Sequence, residues 1–510
     1  MGINWPILIG TVLMEIIIIF GVTAVLQAKE RHAGSDSFIK SNRNLPMVAV
    51  AATQALTCLG GGHILGMTAA SWDFGVAACW YAISSACMLI ILFCFTGPWV
   101  RRLGFTTIGQ AFERIFDRRT AVLVGCVGAG TIWGIMTLEL QGVGSVISAI
   151  TSGSMIFGCI IGGIISILYV IFGGMKQVGW VNIINAVFMY LGVIIALAML
   201  GSKLPNGWAG VNEFFQSYSN NFAQGNEFLS IMSSPEIWKV YIIGTFLAGL
   251  FYVPIGPQAA QVSASAKSVN SLKKAVFIAV PMNAIFGMIM VAFGMAALSI
   301  PEYAGIGAPP FIAMFVMLID LLPWWLTAWL FAAFAAAMLS TIAVQLLALS
   351  TIVVDDIYIR YYNHNMPEKS KMKLLRWLIV IIGAGGTITS TALPPVQNAI
   401  VWLFAWLLPA FWIFVFAMFW KRSSFAGFWT IIITGVVNIL WSYTSLPSML
   451  GLDGNNNSIA MFVVAFVVCI LFTLFDRNAK PALIKVYKQN KFDVIAPELA
   501  EHYRAIGYKG

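Results

Sequence analysis

Charged residues are scarce in this sequence. Asp, Glu, Lys and Arg make up 10% of its 510 residues, 60% of the residues are apolar, and the mean hydropathy is +0.87. A soluble domain of this size does not have such a composition. Many apolar runs reach the length of about 20 residues that crosses a bilayer. The sequence therefore predicts an all-α polytopic membrane protein.

Motifs of enzymes and metal centres are also missing. The sequence has no P-loop, no nucleophile elbow, and no His or Cys cluster with metal-ligand spacing. Its seven cysteines all lie inside apolar runs, where they behave as small hydrophobic residues and carry no information about disulfides. We therefore expect neither an enzyme nor an organic cofactor.

The apolar runs divide the chain into thirteen predicted spans. The first run has no basic residue before it and is followed by Lys29 and Arg31, which predicts an uncleaved helix with its N-terminus outside. If consecutive spans cross the membrane in opposite directions, 27 of the 29 Lys and Arg residues, and the C-terminal tail, lie on the cytoplasmic side. The net charge of +9 thus reflects membrane topology and not a nucleic-acid partner. The predicted spans are 3–26, 45–72, 76–97, 120–150, 155–173, 178–200, 239–258, 275–299, 326–350, 374–393, 397–420, 425–445 and 459–476.

Two of these spans are interrupted by residues that break helices. The second contains Gly60, Gly61 and Gly62, and the seventh contains Pro254 and Pro257. The breaks are five spans apart, so two five-span halves that begin with them have opposite orientations. Interrupted helices at corresponding places in two halves indicate an inverted repeat. We expect a five-plus-five core that resembles the leucine-transporter fold.

The predicted domains follow from this repeat. An extra helix and a loop precede the first half, an outside loop joins the halves, and two further helices and a tail follow. The tail is too short for a kinase or binding domain, which argues against a non-transporting membrane sensor. The predicted boundaries are 1–44, 45–200, 201–238, 239–420, 421–476 and 477–510.

The apolar stretch 331–358 carries hydroxyl groups near its middle. Ala337, Ser340 and Thr341 fall on one face of a helix, and Gln345 lies one turn further along that face. Hydroxyl groups inside a membrane need partners. A face of small residues and neutral oxygens suits a bare alkali cation, because hard cations take oxygen ligands. Ordinary close packing of helices is the alternative interpretation.

This stretch resembles the signature helix of the sodium/solute symporter family, whose members include proline, pantothenate, sugar and sialic acid carriers. The resemblance extends in order over roughly residues 5–475. Three other fragments carry it: Arg43-Asn-Leu before the first break, Gly173-Gly174-Met-Lys-Gln-Val-Gly-Trp180 at the fourth loop, and Gly256-Pro-Gln258 with Ala264-Ser-Ala-Lys267-Ser after the second break.

The resemblance implies a sodium site and a function. It places the coupling sodium ion at Ala337, Ser340 and Thr341, with the backbone carbonyls of Leu56 and Leu59 as further ligands. It implies sodium-driven import of a small organic solute by alternating access. We accordingly expect sodium, the solute and the lipid bilayer as partners, a plasma-membrane location, and a monomer or weak homo-oligomer.

Polar and aromatic residues near the breaks are candidates for solute binding or gating. His63 follows the glycine run directly and either binds a solute, carries a proton, or is a structural histidine bonded to a carbonyl. Glu139 is an acid within a core span and a functional candidate by default. Glu15 lies on the first helix, where a packing or dimer contact is the simpler interpretation. The remaining candidates are Gly60, Gly61, Gly62, Phe251, Tyr252 and Gln258.

The chemistry of the solute is open at this level. The central helices contain no Lys or Arg, so an anionic solute would depend on helix N-termini and on His63. A proton-driven carrier that uses His63 or Glu139 for coupling is the rival function. The sequence indicates only a small organic solute.

One departure from the family concerns the number of sodium ions. Some members bind a second sodium ion through an Asp on the fifth core helix and two hydroxyl residues on the signature helix. This chain has Asn182, Ala343 and Val344 at those positions. An amide supplies an oxygen without a charge, and Ala and Val supply no side-chain oxygen. We therefore expect one sodium ion per solute, with backbone or water ligands as the alternative.

Overall fold

The computed structural model describes residues 3–29, 34–172, 174–359, 362–392, 399–450 and 457–488. These residues are mostly helical, as expected where no water can satisfy backbone groups. In the described part of the chain, eleven helical stretches are long and apolar enough to cross a membrane. They are Trp5–Val25, Gly62–Arg102, Arg118–Thr151, Gly174–Lys203, Pro235–Ile255, Val269–Ser299, Trp324–Ile359, Glu368–Ala392, Trp402–Phe419, Ser424–Tyr443 and Asn457–Phe475.

Bends and short segments subdivide several of these stretches. The longer α-helices are Trp5–Lys29, Met47–Cys58, Met67–Phe74, Trp80–Ile91, Gly97–Leu103, Ile108–Ile115, Arg118–Thr151, Met155–Ile171, Gly174–Lys203, Gly207–Ser217, Ile243–Tyr252, Pro257–Ser265, Val276–Ser299, Pro310–Leu321, Trp324–Thr351, Glu368–Ala392, Ala399–Phe419, Ser424–Tyr443 and Asn457–Phe475. Short α-helices are Ser35–Lys40, Pro235–Ile237, Val269–Lys274, Pro301–Ala304, Leu446–Met449 and Leu483–Lys488. Wider turns occupy Gly62–Gly66, Leu92–Thr96, Trp238–Ile242 and Ile352–Ile359, and tighter turns occupy Ser41–Arg43, Gly75–Cys79, Gly225–Leu229 and Val253–Ile255.

The described residues include two strands, each of only two residues. Lys421–Arg422 pairs antiparallel with Lys480–Pro481 and joins the start of one late helix to the end of another. The prediction of an all-α polytopic fold is thus confirmed. The count of thirteen spans and the domain boundaries remain predictions. Residues 393–398, where two predicted spans approach each other, lie outside the described residues, as do Gly173 and residues 489–510 of the tail.

The helix Trp324–Thr351, hereafter the signature helix, lies at the centre of the bundle. Every side chain from Phe331 to Thr351 is buried. It packs against Arg118–Thr151, Gly174–Lys203 and the first helix. Its run of alanines lets neighbouring backbones approach closely. The first helix, by contrast, exposes residues such as Ile17, as expected for a surface that faces lipid.

The first broken helix consists of Met47–Cys58 and the segment that begins at Gly62. Leu59 ends the first half, and the chain resumes as a widened turn over Gly62–Gly66. Three consecutive glycines weaken the helix at this point because glycine loses the most conformational freedom on ordering. At the break, the Gly61 N–H donates to the side chain of Glu139 and not to its own helix.

The second broken helix is interrupted by prolines. Ile243–Tyr252 runs into a short turn that contains Pro254, and Gly256 then adopts an extended backbone conformation before Pro257 begins the next helix. Proline removes a backbone donor and clashes with the preceding turn, which accounts for the interruption. Both breaks therefore lie where the sequence predicts them.

The wide turn Ile352–Ile359, which follows the signature helix, is attached to neighbouring segments. Asp356 Oδ1 accepts hydrogen bonds from the Thr107 hydroxyl at 2.9 Å and from Gln110 Nε2 at 3.2 Å. The adjacent Asp355 forms an ion pair with Lys371 at 2.8 Å. These contacts fix the turn after the signature helix against the start of Ile108–Ile115 and against Glu368–Ala392.

Candidate functional site

The hydroxyl of Thr341 faces the end of the first half of the first broken helix. Thr341 Oγ1 lies 3.4 Å from the carbonyl oxygen of Leu56 and 3.1 Å from that of Thr57. It also lies 3.2 Å from the carbonyl oxygen of Ala337, one turn earlier on its own helix. Three carbonyl oxygens therefore surround a hydroxyl that has a single hydrogen to donate.

Ser340 adds a second hydroxyl to this group. Its Oγ donates to the carbonyl oxygen of Ala337 at 2.7 Å, so that carbonyl is close to both hydroxyls. Ser340 and Thr341 are 0% and 2% exposed, which shields the group from water. Hydroxyls on membrane helices commonly bond to the preceding turn. The two contacts across to the broken helix go beyond that local pattern.

The structure brings together Leu56, Ala337, Ser340 and Thr341 from the predicted sodium set. Leu59 donates its N–H to the carbonyls of Ala55 and Leu56 at the end of the same helix. The carbonyl of Thr57 was missed by the sequence reasoning, although its position directly after Leu56 at the helix end is a usable signal.

A cavity lies beside this oxygen group, between the two broken helices. Its wall is formed mainly by the two broken helices and the helix Trp80–Ile91, and the helix Arg118–Thr151 adds Ile135 and Glu139. Thr57 belongs both to the wall and to the oxygen group. The described lining residues are Thr57, Cys58, Gly60, Gly62, Tyr81, Ser85, Met88, Ile135, Glu139, Gly249, Tyr252, Val253, Gln258, Gln345 and Phe404.

The side chain of Glu139 lies against the first break, beside Gly60 and Gly61. Its Oε2 accepts a hydrogen bond from the N–H of Gly61 at 2.6 Å. A Cβ atom on Gly60 would collide with the same carboxylate, whereas one on Gly61 would sit in ordinary contact at 3.5 Å. The contact across to Glu139 therefore requires glycine at position 60. Sequence reasoning identified the acid and the break but not their pairing.

Aromatic and amide groups form another part of the wall. Tyr252 stacks on Phe404 with ring centres 4.0 Å apart and an interplanar angle of 12°. Gln258 Nε2 donates to the Tyr252 hydroxyl at 2.8 Å. Gln345, on the signature helix, also lines the cavity. Tyr252 and Gln258, two of the candidates for solute binding or gating, thus line the cavity.

Two other candidates lie elsewhere. His63 Nε2 is 3.1 Å from the side-chain oxygen of Asn283, and its ring contacts Tyr81 edge to face, but His63 is not among the described lining residues. Phe251 also lies outside that set and packs against Phe411 and Phe462. Both positions fit structural roles better than contact with a solute.

The side-chain oxygen of Asn182 accepts a hydrogen bond inside the helical bundle. Its Oδ1 accepts a hydrogen bond from the Tyr169 hydroxyl at 2.6 Å, and Asn185 Nδ2 donates to the same hydroxyl at 3.2 Å. Ala343 and Val344 are fully buried. The second-ion position inferred from the family therefore offers one neutral side-chain oxygen that already has a partner.

Comparison with known proteins identifies the family. A model of the Sodium:solute symporter family matches residues 38–435, so this chain belongs to that family. A sodium/glucose cotransporter of Vibrio parahaemolyticus is 23% identical over 451 residues, which cover 82% of this chain and 82% of that protein. The sodium/sialic acid symporter NanT of Aliivibrio fischeri is 21% identical over 87% of this chain and 89% of that protein.

The fold agrees with this assignment. A Na⁺-coupled sialic acid symporter, solved in a substrate-bound outward-open state, is similar with a TM-score of 0.74 and 16% identity. The similarity covers 92% of this chain and 98% of that chain. The core is that of the leucine-transporter-like carriers, as predicted from the two breaks.

The class of protein follows from the family and the fold. This chain is a sodium-coupled symporter of a small solute and a multi-pass membrane protein. The sequence-based prediction of that function is confirmed. Neither the proton-driven carrier nor the non-transporting sensor is favoured.

Proposed function

We propose that the oxygen group around Thr341 binds the coupling sodium ion. The observation that carries this proposal is the convergence of the Leu56, Thr57 and Ala337 carbonyls on one hydroxyl. The Thr341 hydroxyl donates a single hydrogen and therefore satisfies only one of the three carbonyls, and each carbonyl oxygen has two lone pairs. Neutral oxygens are suitable ligands for such an ion. By the family resemblance, the carbonyl of Leu59 and the Ser340 hydroxyl complete the ligand set.

The solute site in this proposal is the adjacent cavity. Thr57 provides the link, because its carbonyl faces Thr341 while the residue itself lines the cavity. Sodium bound between the signature helix and the first broken helix would hold these two elements in the arrangement that receives the solute. Solute binding then permits the inward-facing form, and release of both completes a transport cycle.

The sodium gradient is sufficient for accumulation with one ion. One inward sodium charge contributes about 2.3 kcal/mol per 100 mV of membrane potential. A tenfold concentration gradient adds about 1.4 kcal/mol. Together these terms support solute accumulation of roughly several-hundredfold.

We also propose the location and orientation of the protein. The distribution of Lys and Arg supports an outside N-terminus and a cytoplasmic C-terminus in the plasma membrane. The carrier acts without an enzymatic step or an organic cofactor, as a monomer or weak homo-oligomer. Cysteine-labelling of single-cysteine variants at the exposed positions Ser217 and Lys369, performed on intact cells, tests this orientation, with labelling expected at position 217 only.

Counterflow into proteoliposomes tests the function directly. Purified protein is reconstituted with a mixture of candidate solutes inside, and exchange is measured with sodium or with potassium in the buffer. Exchange is expected only in sodium. Exchange that persists in potassium and follows an imposed proton gradient would contradict the proposed coupling.

A further inference from the structure

Glu139 contributes a carboxyl group to the cavity wall, and this group carries a negative charge when it is ionised. Among the described residues that line the cavity there is no Lys, Arg or His. The Glu139 carboxylate accepts the Gly61 N–H at 2.6 Å, at the start of the second half of the first broken helix. That helix end is the positive end of its dipole. The Glu139 carboxylate therefore already accepts from the Gly61 N–H, which is the donor that an anionic solute would need.

Two amide oxygens add further hydrogen-bond acceptors to the cavity wall. The side-chain oxygens of Gln258 and Gln345 are buried and accept no hydrogen bond from the described part of the chain. Gln258 already uses its Nε2 to donate to the Tyr252 hydroxyl. A side-chain amide can rotate to exchange its oxygen and its NH₂ group, but an ionised carboxylate can only accept hydrogen bonds. The wall thus offers acceptors that require donors from a ligand.

Aromatic rings complete this environment. The stacked pair Tyr252 and Phe404 and the ring of Tyr81 all line the cavity that contains the Glu139 carboxylate. Aromatic faces attract cations, most strongly where water is excluded. A carboxylate beside aromatic faces is a suitable environment for a positively charged ammonium group and a poor one for a carboxylate or phosphate.

We propose that the transported solute carries an ammonium group, which pairs with Glu139 and lies against the aromatic wall. This inference rests on the proposed solute cavity. A buried carboxylate in a membrane protein is costly unless it is paired. The Gly61 N–H pairs with one of its oxygens, and the ammonium group supplies the missing charge. A neutral or anionic solute would leave Glu139 without a counter-charge.

The proposal has an electrical consequence. Glu139 remains with the protein, so a singly charged ammonium solute and one sodium ion together move two positive charges per cycle. A neutral solute and one sodium ion would together move one positive charge per cycle. The ratio of charge to solute is therefore a second readout that does not depend on affinity.

Transport currents from proteoliposomes on a solid-supported membrane test the solute class. The cationic probes are ethanolamine, choline and 2-phenylethylamine, and their neutral counterparts are ethylene glycol, 3,3-dimethylbutan-1-ol and 2-phenylethanol. The anionic probes are glycolate and 3-phenylpropanoate. Sodium-dependent currents are expected from cationic probes alone. Glu139→Gln keeps an acceptor for Gly61 and is expected to raise the half-saturating cation concentration at least about tenfold, because a charge-assisted bond is lost.

A matched control is available on the first helix. Glu15→Gln makes the same chemical change at a buried glutamate that is not among the described lining residues, and it should leave the cation affinity unchanged. Sodium-induced thermal stabilisation of the Glu139→Gln protein shows that this variant is folded.

The outcomes separate this inference from the proposed sodium site. Sodium-dependent currents from the neutral or anionic probes, no response to any cation, or unchanged cation affinity in Glu139→Gln overturns the ammonium assignment. A wild-type sodium requirement in Thr341→Ala overturns the sodium site instead, whichever probes are carried.

Discussion

The hydroxyl of Thr341 lies 3.1 Å from the carbonyl oxygen of Thr57, although the two residues are 284 positions apart in the chain. This contact joins the signature helix to the end of the first half of the first broken helix. Thr57 also lines the cavity, so an ion held at this contact and a solute in the cavity share one residue. The arrangement supplies a physical route by which binding of one affects binding of the other.

We predict that Thr341→Ala and Ser340→Ala each raise the sodium concentration for half-maximal uptake. Each change removes an oxygen from a buried site with few ligands. Loss of a contact to a charged group costs about 1.5 kcal/mol or more, which corresponds to a tenfold or larger effect. Uptake is measured in proteoliposomes over a sodium series at fixed solute.

Thr327→Ala is the matched control for these variants. Thr327 is a buried hydroxyl on the same helix, and it bonds to the carbonyls of Leu318 and Pro323, away from the proposed site. The sodium concentration for half-maximal uptake by Thr327→Ala should match that of the wild-type protein. Wild-type sodium affinity in both Ser340→Ala and Thr341→Ala would show that these hydroxyls serve packing only.

Glycine requirements at the first break provide a second prediction. Gly60→Ala should reduce transport at least tenfold, since its Cβ would displace the Glu139 carboxylate that accepts the Gly61 N–H. Gly66→Ala is the control, because a Cβ there has nothing within 4 Å. Both variants are compared by initial uptake rate at equal membrane content. Equal rates would show that the Glu139 contact is dispensable.

Two further variants distinguish backbone from side-chain roles at this break. Gly61→Leu should block transport by filling the space between the broken helix and the cavity, with Glu139 already 3.5 Å from the Cβ position. Leu59→Ile should be mild, because the proposal uses only the carbonyl of Leu59. Uptake by the two variants is measured side by side. Near-normal transport by Gly61→Leu would contradict an open break at this point.

The sequence predicted the elements of the site better than their contacts. The glycine run and the two prolines marked both breaks because these residues disfavour helix through local backbone chemistry. The pairing of Glu139 with Gly61 was not predictable, since it depends on how Arg118–Thr151 packs across the break. His63 was an open candidate for a related reason, and the structure turns its Nε2 toward Asn283.

The wide turn Ile352–Ile359 after the signature helix gives a stability prediction. Asp356→Ala removes the acceptor for the Thr107 hydroxyl and Gln110 Nε2 and should lower stability by about 1–3 kcal/mol. Thermal unfolding of the purified protein measures this as a lower midpoint. Asp36→Ala is the control, because its side chain is 68% exposed in an i,i+4 pair with Lys40, and exposed pairs contribute little. Equal midpoints for the two variants would show that the Asp356 contacts add no stability.

The last prediction is a stoichiometry of one sodium ion per solute. The position of the second ion in some family members is occupied here by Asn182, Ala343 and Val344. Asn182 Oδ1 already accepts a hydrogen bond from the Tyr169 hydroxyl at 2.6 Å, and the other two side chains have no oxygen. A cation that leaves water for the membrane interior needs charged or several neutral ligands, and this set provides neither. Uptake rate against sodium concentration at saturating solute should give a Hill coefficient near one, and the reversal potential should give a one-to-one ratio. A coefficient near two together with a two-to-one ratio would require a second site built from backbone or water oxygens.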